Sequence, residues 1–452
     1  MKGPRGIALS SLLKVPGREF VEEILDRFLA KSDLSPVDRR LARELTLGTV
    51  RMRGTIDSVA KVFSKRPLEK LDRFVHEVVR LGLYQLLFCD RIPVHAAVHE
   101  TVQLVKKSSR RRASGYVNAM LRRISDSLKR GGGGGSNDPR FGFSRFDGTT
   151  LFFDRAVFPD PETDLGGYLA AIHSHPRFLV DRWLSRHGRE RTEVFLLAGN
   201  RRPALSLRQV SGRVEPERFR EAFESQGLSL TPGPEVGTWF VAKGGDPRNY
   251  PGYQEGWFVV QDPTQAQVVP AANVRPGQRI LELCAAPGGK TAHLAEIAGG
   301  EGVVAVDRDL KRTRKIASGL KRLGFSGVIV LCADVSSLPF REEETFDRIL
   351  LDVPCSNTGV LARRAEARWR FHGESLRTLI ESQRKLLRVA LTRLASGGVL
   401  TYSTCSLEEE ENEGLVRSVV AEAPEFRFLR GVMSWPEKGW GGGGFWQIEH
   451  SG

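Results

Sequence analysis

RILELCAAPGGKTAHLAEIAGGEGVVAVD, residues 279–307, decides the fold. It opens with an apolar run, RILELC, and closes with another, GVVAVD. Neither alternates with polar residues, so both read as strands buried on two faces. Between them lie a glycine turn and an amphipathic stretch, TAHLAEIA, which reads as a helix. Working towards the C-terminus, the same alternation continues. The strands are GVIVLC (327–332), FDRILLD (346–352) and GVLTYST (398–404). The helices are LKRTRKIASGLKRL (310–323), SLRTLIESQRKLLRVALTRLA (375–395) and, after the last of these strands, EEEENEGLVRSVVAE (408–422). FWQIE (445–449) adds a late antiparallel strand. The pattern predicts a doubly wound α/β domain over residues 261–452, with its ligand beyond the carboxyl ends of the strands.

Towards the N-terminus the pattern changes. Residues 1–130 repeat apolar residues at three- and four-residue steps in EFVEEILDRFLA, DRRLARELTLGTVRMRGTIDSVAKVF, FVHEVVRLGLYQLLFC, VHAAVHETVQLVKK and ASGYVNAMLRRI. They predict an all-α bundle of five to seven helices. This piece carries 27 Lys and Arg against 14 Asp and Glu, whereas residues 131–452 carry 41 against 40. Nearly all of the net charge of +14 therefore sits on the helical piece, the footprint of a phosphate-binding module. GGGGGSNDP (131–139) cannot pack and reads as a flexible tether, and 131–165 as a whole reads as a linker or arm. Residues 166–260 mix helices (HPRFLVDRWLSRHG, PERFREAFESQG) with strands (ALSLRQV, GWFVVQD) and read as a small α+β module. No apolar run is long enough to cross a bilayer. The five cysteines form no CxxC pair and no metal spacing. A cytoplasmic protein is expected.

The glycine turn has three readings. A P-loop needs a glycine where Cys284 stands, although Gly289, Lys290 and Thr291 match its end. The dinucleotide spacing Gly-x-Gly-x-x-Gly is absent. S-adenosylmethionine is the third, and the acidic residues favour it. Asp307 ends the second strand, Asp334 follows the third and Asp352 ends the fourth. Three carboxylates would repel phosphates. They suit a ligand with ribose hydroxyls, an adenine amino group, a sulfonium and an ammonium. Gly288 and Gly289 let backbone approach the methionine end closely. The bland alternative is that aspartates at strand ends are turn chemistry.

Two cysteines stand just past neighbouring strands, in LDVPCSNTG (351–359) and TYSTCSL (401–407). Amino-group methyltransferases carry Asp/Asn-Pro-Pro-aromatic after the fourth strand; here the run is Asp352-Val353-Pro354-Cys355. Methylation of a pyrimidine carbon has other needs. C5 of cytosine becomes nucleophilic only when a thiolate adds at C6, and a base must later remove the C5 proton. Cys355 and Cys405 suit that chemistry. Cys284, Cys332 and Cys89 read as buried packing.

The helical piece resembles the NusB-like RNA-binding fold over residues 5–127, through DRRLARELTLGTVR, RLGLYQLLF, IPVHAAVHETVQLVK and YVNAMLRRI in that order. PCSNTG, TYSTCS and CAAPGGKT resemble the RNA cytosine-C5 methyltransferase superfamily. With HPRFLVDRW and FVVQDPTQA added, the chain is similar to the RsmB (Sun/Fmu) family of small-subunit ribosomal RNA methyltransferases. That resemblance implies a Rossmann-like class I methyltransferase domain. It makes Cys405 the attacking thiolate and Cys355 the group that assists product release. Asp352 would hold the cytosine edge with Lys290 nearby. Cys284, Ala285, Ala286, Pro287, Gly288, Gly289 and Lys290, with Asp307, Asp334 and Asp352, would line the S-adenosylmethionine site. The expected partner is small-subunit ribosomal RNA, with no DNA, no membrane, no metal and a monomeric chain. The alternatives are transfer RNA or another RNA as substrate, and a non-catalytic RNA-binding or antitermination factor. In LARRAEARWRFH (361–372), Arg363, Arg364, Arg368 and Arg370 are candidates for target phosphates and Trp369 for base stacking; the alternative is a solvated helix face with one packed Trp. The glycine-rich linker and GGGGFWQIE depart from the family pattern.

Overall fold

The computed structural model describes residues 3–451 except 16, 18, 131–137, 146, 243–244 and 437–439. Most of the expected tether at 131–139 lies outside the described residues. The chain forms two compact units, Met1–Arg201 with Arg364–His372, and Arg202–Arg363 with Gly373–Gly452.

In the first unit, the described residues of 3–127 form seven α-helices, from Gly3–Leu12 to Ser114–Ser127. The run over 38–63 is two helices, Pro36–Arg51 and Arg53–Phe63, joined at Met52. Ser35 caps the first by accepting from Asp38 N. The helix Arg73–Phe88 is the centre of the bundle and is buried almost all round. A Cβ on its Gly82 would stand 2.9 Å from both Leu121 and Thr101 side chains, so glycine there lets the neighbouring helices close up.

The expected boundaries within 131–201 are corrected. Gly142–Ser144 pairs antiparallel with Thr150–Phe152, and Phe143, Leu151, Phe153, Val157 and Phe158 join the helical core. Their irregular spacing has no period, so the arm read as a linker, yet it buries as much as an element. Helices Leu165–Ile172 and Arg177–Asn200 also fold with this unit rather than with the α+β module. Thr55 Oγ1 donates to Ala171 O at 2.8 Å.

The stretch 364–372 is corrected as well. Arg368 is fully buried. It donates to Asn200 Oδ1 at 2.6 Å, Gly199 O at 2.7 Å and Ser174 O at 2.9 Å. Trp369 Nε1 donates to Val50 O at 2.8 Å, and Arg370 donates to Glu19 O at 2.6 Å. Arg364 sits 3.9 Å over the Phe20 ring. Arg368 is therefore closed to a nucleic acid, and all four side chains tie elements of the unit together.

The second unit is built on a seven-stranded sheet. Its strands are β1 (Ile280–Leu283), β2 (Val303–Asp307), β3 (Ile329–Cys332), β4 (Phe346–Asp352), β5 (Leu394–Thr404), β6 (Phe426–Ser434) and β7 (Gly443–His450). The order is β3-β2-β1-β4-β5-β7-β6. Strands β1 to β5 are parallel and β7 is antiparallel to both neighbours. The expected doubly wound sheet and its late antiparallel strand are both present. A separate four-stranded antiparallel sheet contains Leu205–Gln209, Leu230–Pro232, Thr238–Val241 and Phe258–Val260. Phe219 and Phe223 of helix Pro216–Glu224 pack on Leu207 and Phe258. Among the described residues no helix is long and apolar enough to cross a membrane.

Replacing Arg368 by alanine strands three buried acceptors and should destabilise the protein by about 3 kcal/mol or more, whereas Arg364→Ala should stay within about 1 kcal/mol. Denaturant unfolding of the two variants checks this, and equal midpoints would contradict the structural role of Arg368.

Candidate active site

The turn after β1 begins at Cys284, held at φ 59°, and ends at Gly288, at φ 100°. A Cβ on Gly288 would also stand 3.2 Å from Ile316 Cα, so glycine is required twice over. Gly289 then opens the helix Gly289–Ala298. Asp307, at the end of β2, accepts from Ala286 N and from Asp309 N, each at 3.1 Å. It ties the turn to the second strand, and each oxygen keeps a lone pair for a hydroxyl. Asp334 accepts from Ser336 N at 2.8 Å and Ser336 Oγ at 2.6 Å, and so caps a short turn after β3. Burial and the charges of Asp307 and Asp352 push the Cys284 thiol up to about 12, which leaves it inert. Cys332 was expected to be buried and is exposed, because β3 is the edge strand.

At the end of β4, Asp352 Oδ2 accepts from Lys290 Nζ at 2.7 Å, and Oδ1 accepts from Ser403 Oγ at 2.7 Å. Lys290 also donates to Gln265 Oε1. The fourth strand, the fifth strand and the glycine-turn helix thus meet at one carboxylate. Beneath it Glu282 is 1% exposed. Desolvation raises its carboxyl to about 8, against the pull of Thr291 and Lys290.

The two cysteines come together. Asp352 lies opposite Ser403 in the β4–β5 register, so chains leaving these strands stay adjacent. Cys355 Sγ lies 3.2 Å from Cys405 Sγ, and Cys405 Sγ donates to Asn357 Oδ1 at 3.3 Å. Asn357 is left-handed at φ 62°, a conformation asparagine tolerates, and its Nδ2 donates to Cys355 O at 2.7 Å. The glycines of GGGGFWQIE have a steric reason. A Cβ on Gly443 would lie 2.3 Å from Thr404 O and 2.8 Å from Cys405 Cα, and one on Gly359 2.9 Å from Cys405 O. The turn bearing Cys405 is wrapped by backbone that carries no side chains.

Sequence reasoning missed Glu282, Gln265, Ser403 and Asn357. Glu282 is a single charge inside an apolar run, and that is the one signal it leaves. Arg363, expected on phosphates, instead bonds Asp262 Oδ2 at 3.0 Å.

This sheet order, a glycine turn after β1 and acceptors on the next strand ends define a class I S-adenosylmethionine-dependent methyltransferase. The donor set fits that molecule: close backbone at Gly288 and carboxylates instead of phosphate-binding groups. Residues 270–438 match the family described as 16S rRNA methyltransferase RsmB/F, and residues 2–126 match the NusB family. The chain is 32% identical to the probable ribosomal RNA small subunit methyltransferase B of Synechocystis, over 94% of this chain and 91% of that one. It is 31% identical to ribosomal RNA small subunit methyltransferase B of Pseudomonas syringae, over 94% and 88%. Among solved structures, one described as PH0851 shares the fold with a TM-score of 0.78 at 22% identity, covering 99% of both chains. NSun6 from Pyrococcus horikoshii with SFG shares it with a TM-score of 0.56 at 18% identity, over 61% of this chain and 98% of that one. The chain belongs to the RsmB/F family of 16S rRNA methyltransferases.

Glu282 generates a pH prediction. Its folded value, about 8, lies above the ordinary 4.5, so the folded state holds a proton that the unfolded state releases. Its stabilising effect is complete below the ordinary value and is lost as pH rises towards about 8. Glu282→Gln, which mimics the neutral acid, should flatten the fall in stability over that window. Unfolding midpoints measured across it, with no difference between the two proteins, would refute the assignment.

Proposed function

We propose that this protein methylates C5 of a cytidine in small-subunit ribosomal RNA through a transient bond between Cys405 Sγ and C6 of the base. The observation that carries the reading is the 3.2 Å pair of sulfurs at adjacent strand ends, a pair that methylation of an exocyclic amine does not need. The relatives named ribosomal RNA small subunit methyltransferase B support the substrate. The NusB-like region and its surplus of basic residues support RNA contact.

The target cytosine must be unpaired or flipped out to reach the strand ends. Asp352, braced by Lys290 and Ser403, holds its polar edge. The Cys405 thiolate adds at C6, and the ring electrons move to C5. The glycine turn, Asp307 and Asp334 would hold S-adenosylmethionine, which would supply a sulfonium methyl group for C5 to take up, the sulfonium becoming a neutral thioether. The C5 proton then passes to solvent water, its electron pair re-forms the C5–C6 double bond, and the C6–S pair returns to Cys405, which restores the aromatic ring. Cys355 assists that last step from beside the departing sulfur.

Cys405→Ala should lower methyl transfer by about three orders of magnitude and trap no RNA. Cys355→Ala should accumulate a protein–RNA complex that survives denaturant. Labelled methyl transfer, denaturing gels and bisulfite sequencing of ribosomal RNA read these outcomes. Turnover by Cys405→Ser, or a methyl group on an exocyclic nitrogen, would end the proposal.

A further inference from the structure

One buried carboxylate beside the sulfurs has no part in the steps above. Glu411 is fully buried in the turn that follows β5. Its Oε1 accepts from Gln383 Nε2 at 2.8 Å and Ser356 N at 2.9 Å. Its Oε2 accepts from Ser406 Oγ at 2.5 Å and also from Ser356 Oγ. Ser356 follows Cys355 in the chain, and Ser406 follows Cys405. Gln383 donates as well to Pro354 O at 2.9 Å, the residue before Cys355. All of these donors point at an acceptor-only group, which a carboxylate is and a protonated acid is not.

We propose that Glu411 is a positioning residue for the thiol pair: it clamps the two cysteine-bearing loops together from below and sets a negative charge behind Cys355, so that of the two sulfurs Cys405 is the one that loses its proton. The inference rests on Cys405 being the nucleophile. The hydrogen bonds run in one direction. Either sulfur could donate across the 3.2 Å contact, but Cys405 gives its one S–H to Asn357 Oδ1, an acceptor, which leaves Cys355 as the donor to Cys405. Release of the Cys405 proton to solvent leaves a thiolate that already receives the Cys355 S–H. Release of the Cys355 proton instead would set a second anion beside Glu411.

The titratable groups facing Cys355 are Cys405, Glu411 and Tyr402, with Asp352 at the end of β4. The hydrogen bond to Cys405, burial and the charges of Cys405 and Glu411 hold the Cys355 thiol well above its ordinary value. Burial and the charges of Glu411, Cys355 and Asp352 raise the Tyr402 phenol well out of range, so it contributes no further charge.

Alkylation of the full-length protein by iodoacetamide, resolved by peptide mass spectrometry, tests this without RNA or S-adenosylmethionine. Both residues are half-buried, so the reading that decides is the change in the Cys405 to Cys355 rate ratio between the unaltered protein and Glu411→Gln, in which access to each sulfur is held constant. Near neutral pH, Cys405 should react about tenfold faster than Cys355, because the thiolate is the form that reacts. Glu411→Gln keeps the shape and removes the charge, and should bring the two rates close together. Glu411→Asp keeps the charge and should retain the preference. A faster Cys355 in the unaltered protein, or an unchanged preference in Glu411→Gln, would overturn the proposal. The first of these readings needs no variant to fold. Active Cys405→Ala would strike the cytosine mechanism, not the alkylation result, so the two failures are distinguishable.

Discussion

The parallel pairing of β4 with β5 is the constraint on which the active site depends. With Asp352 opposite Ser403, both strands end at the same height. The loops that follow have no choice but to run side by side, and two sulfurs separated by 50 residues in the chain come within 3.2 Å. A slip of one residue would turn every side chain of a strand to the other face. It would send Asp352 away from Lys290 and Ser403. Continuous apolar sequence buried on both faces, with Leu350, Leu351, Leu400 and Tyr402 each at most 1% exposed, fixes the depth of the strands in the sheet.

Around that register the site is assembled from polar groups whose partners come from separate elements. Lys290 comes from the glycine-turn helix, Asp352 from β4 and Ser403 from β5. Glu411 comes from the turn beyond β5, and Gln383 from the helix Gly373–Leu391. Each is buried or half-buried and each has a partner, as burial of polar groups demands. The glycines serve the same end. Gly288 brings backbone against Ile316, while Gly359 and Gly443 let backbone enclose the Cys405 turn. Bulk is missing where groups must approach, and charge is present where they must be held.

The candidate site residues were legible because each stands at a break in a pattern. Cys355 and Cys405 follow apolar runs, and Asp307, Asp334 and Asp352 mark strand ends. The glycine turn interrupts the shift from strand to helix. Glu411 was not legible. It lies in a run of four glutamates, and a run of like charges reads as a solvated helix face; only folding shows that Glu411 turns inwards while its neighbour Glu409 is exposed. Arg368 failed for the opposite reason. Four arginines and a tryptophan close together look like a nucleic-acid contact, whereas the bonds of Arg368 go to carbonyls of residues 174 and 199.

By itself, then, the sequence determined the parallel sheet, the helical bundle, the ligand class at the glycine turn and the pairing of two cysteines at adjacent strand ends. These follow from local periodicity and from the rule that neighbouring strand ends share a crevice. Tertiary structure alone decided that residues 140–201 and 364–372 fold with the helical bundle and that Cys332 lies at an open edge. It also decided that a glutamate stands behind Cys355. Those outcomes depend on which distant groups can satisfy a buried charge or cover an aperiodic apolar residue, and no local pattern records that.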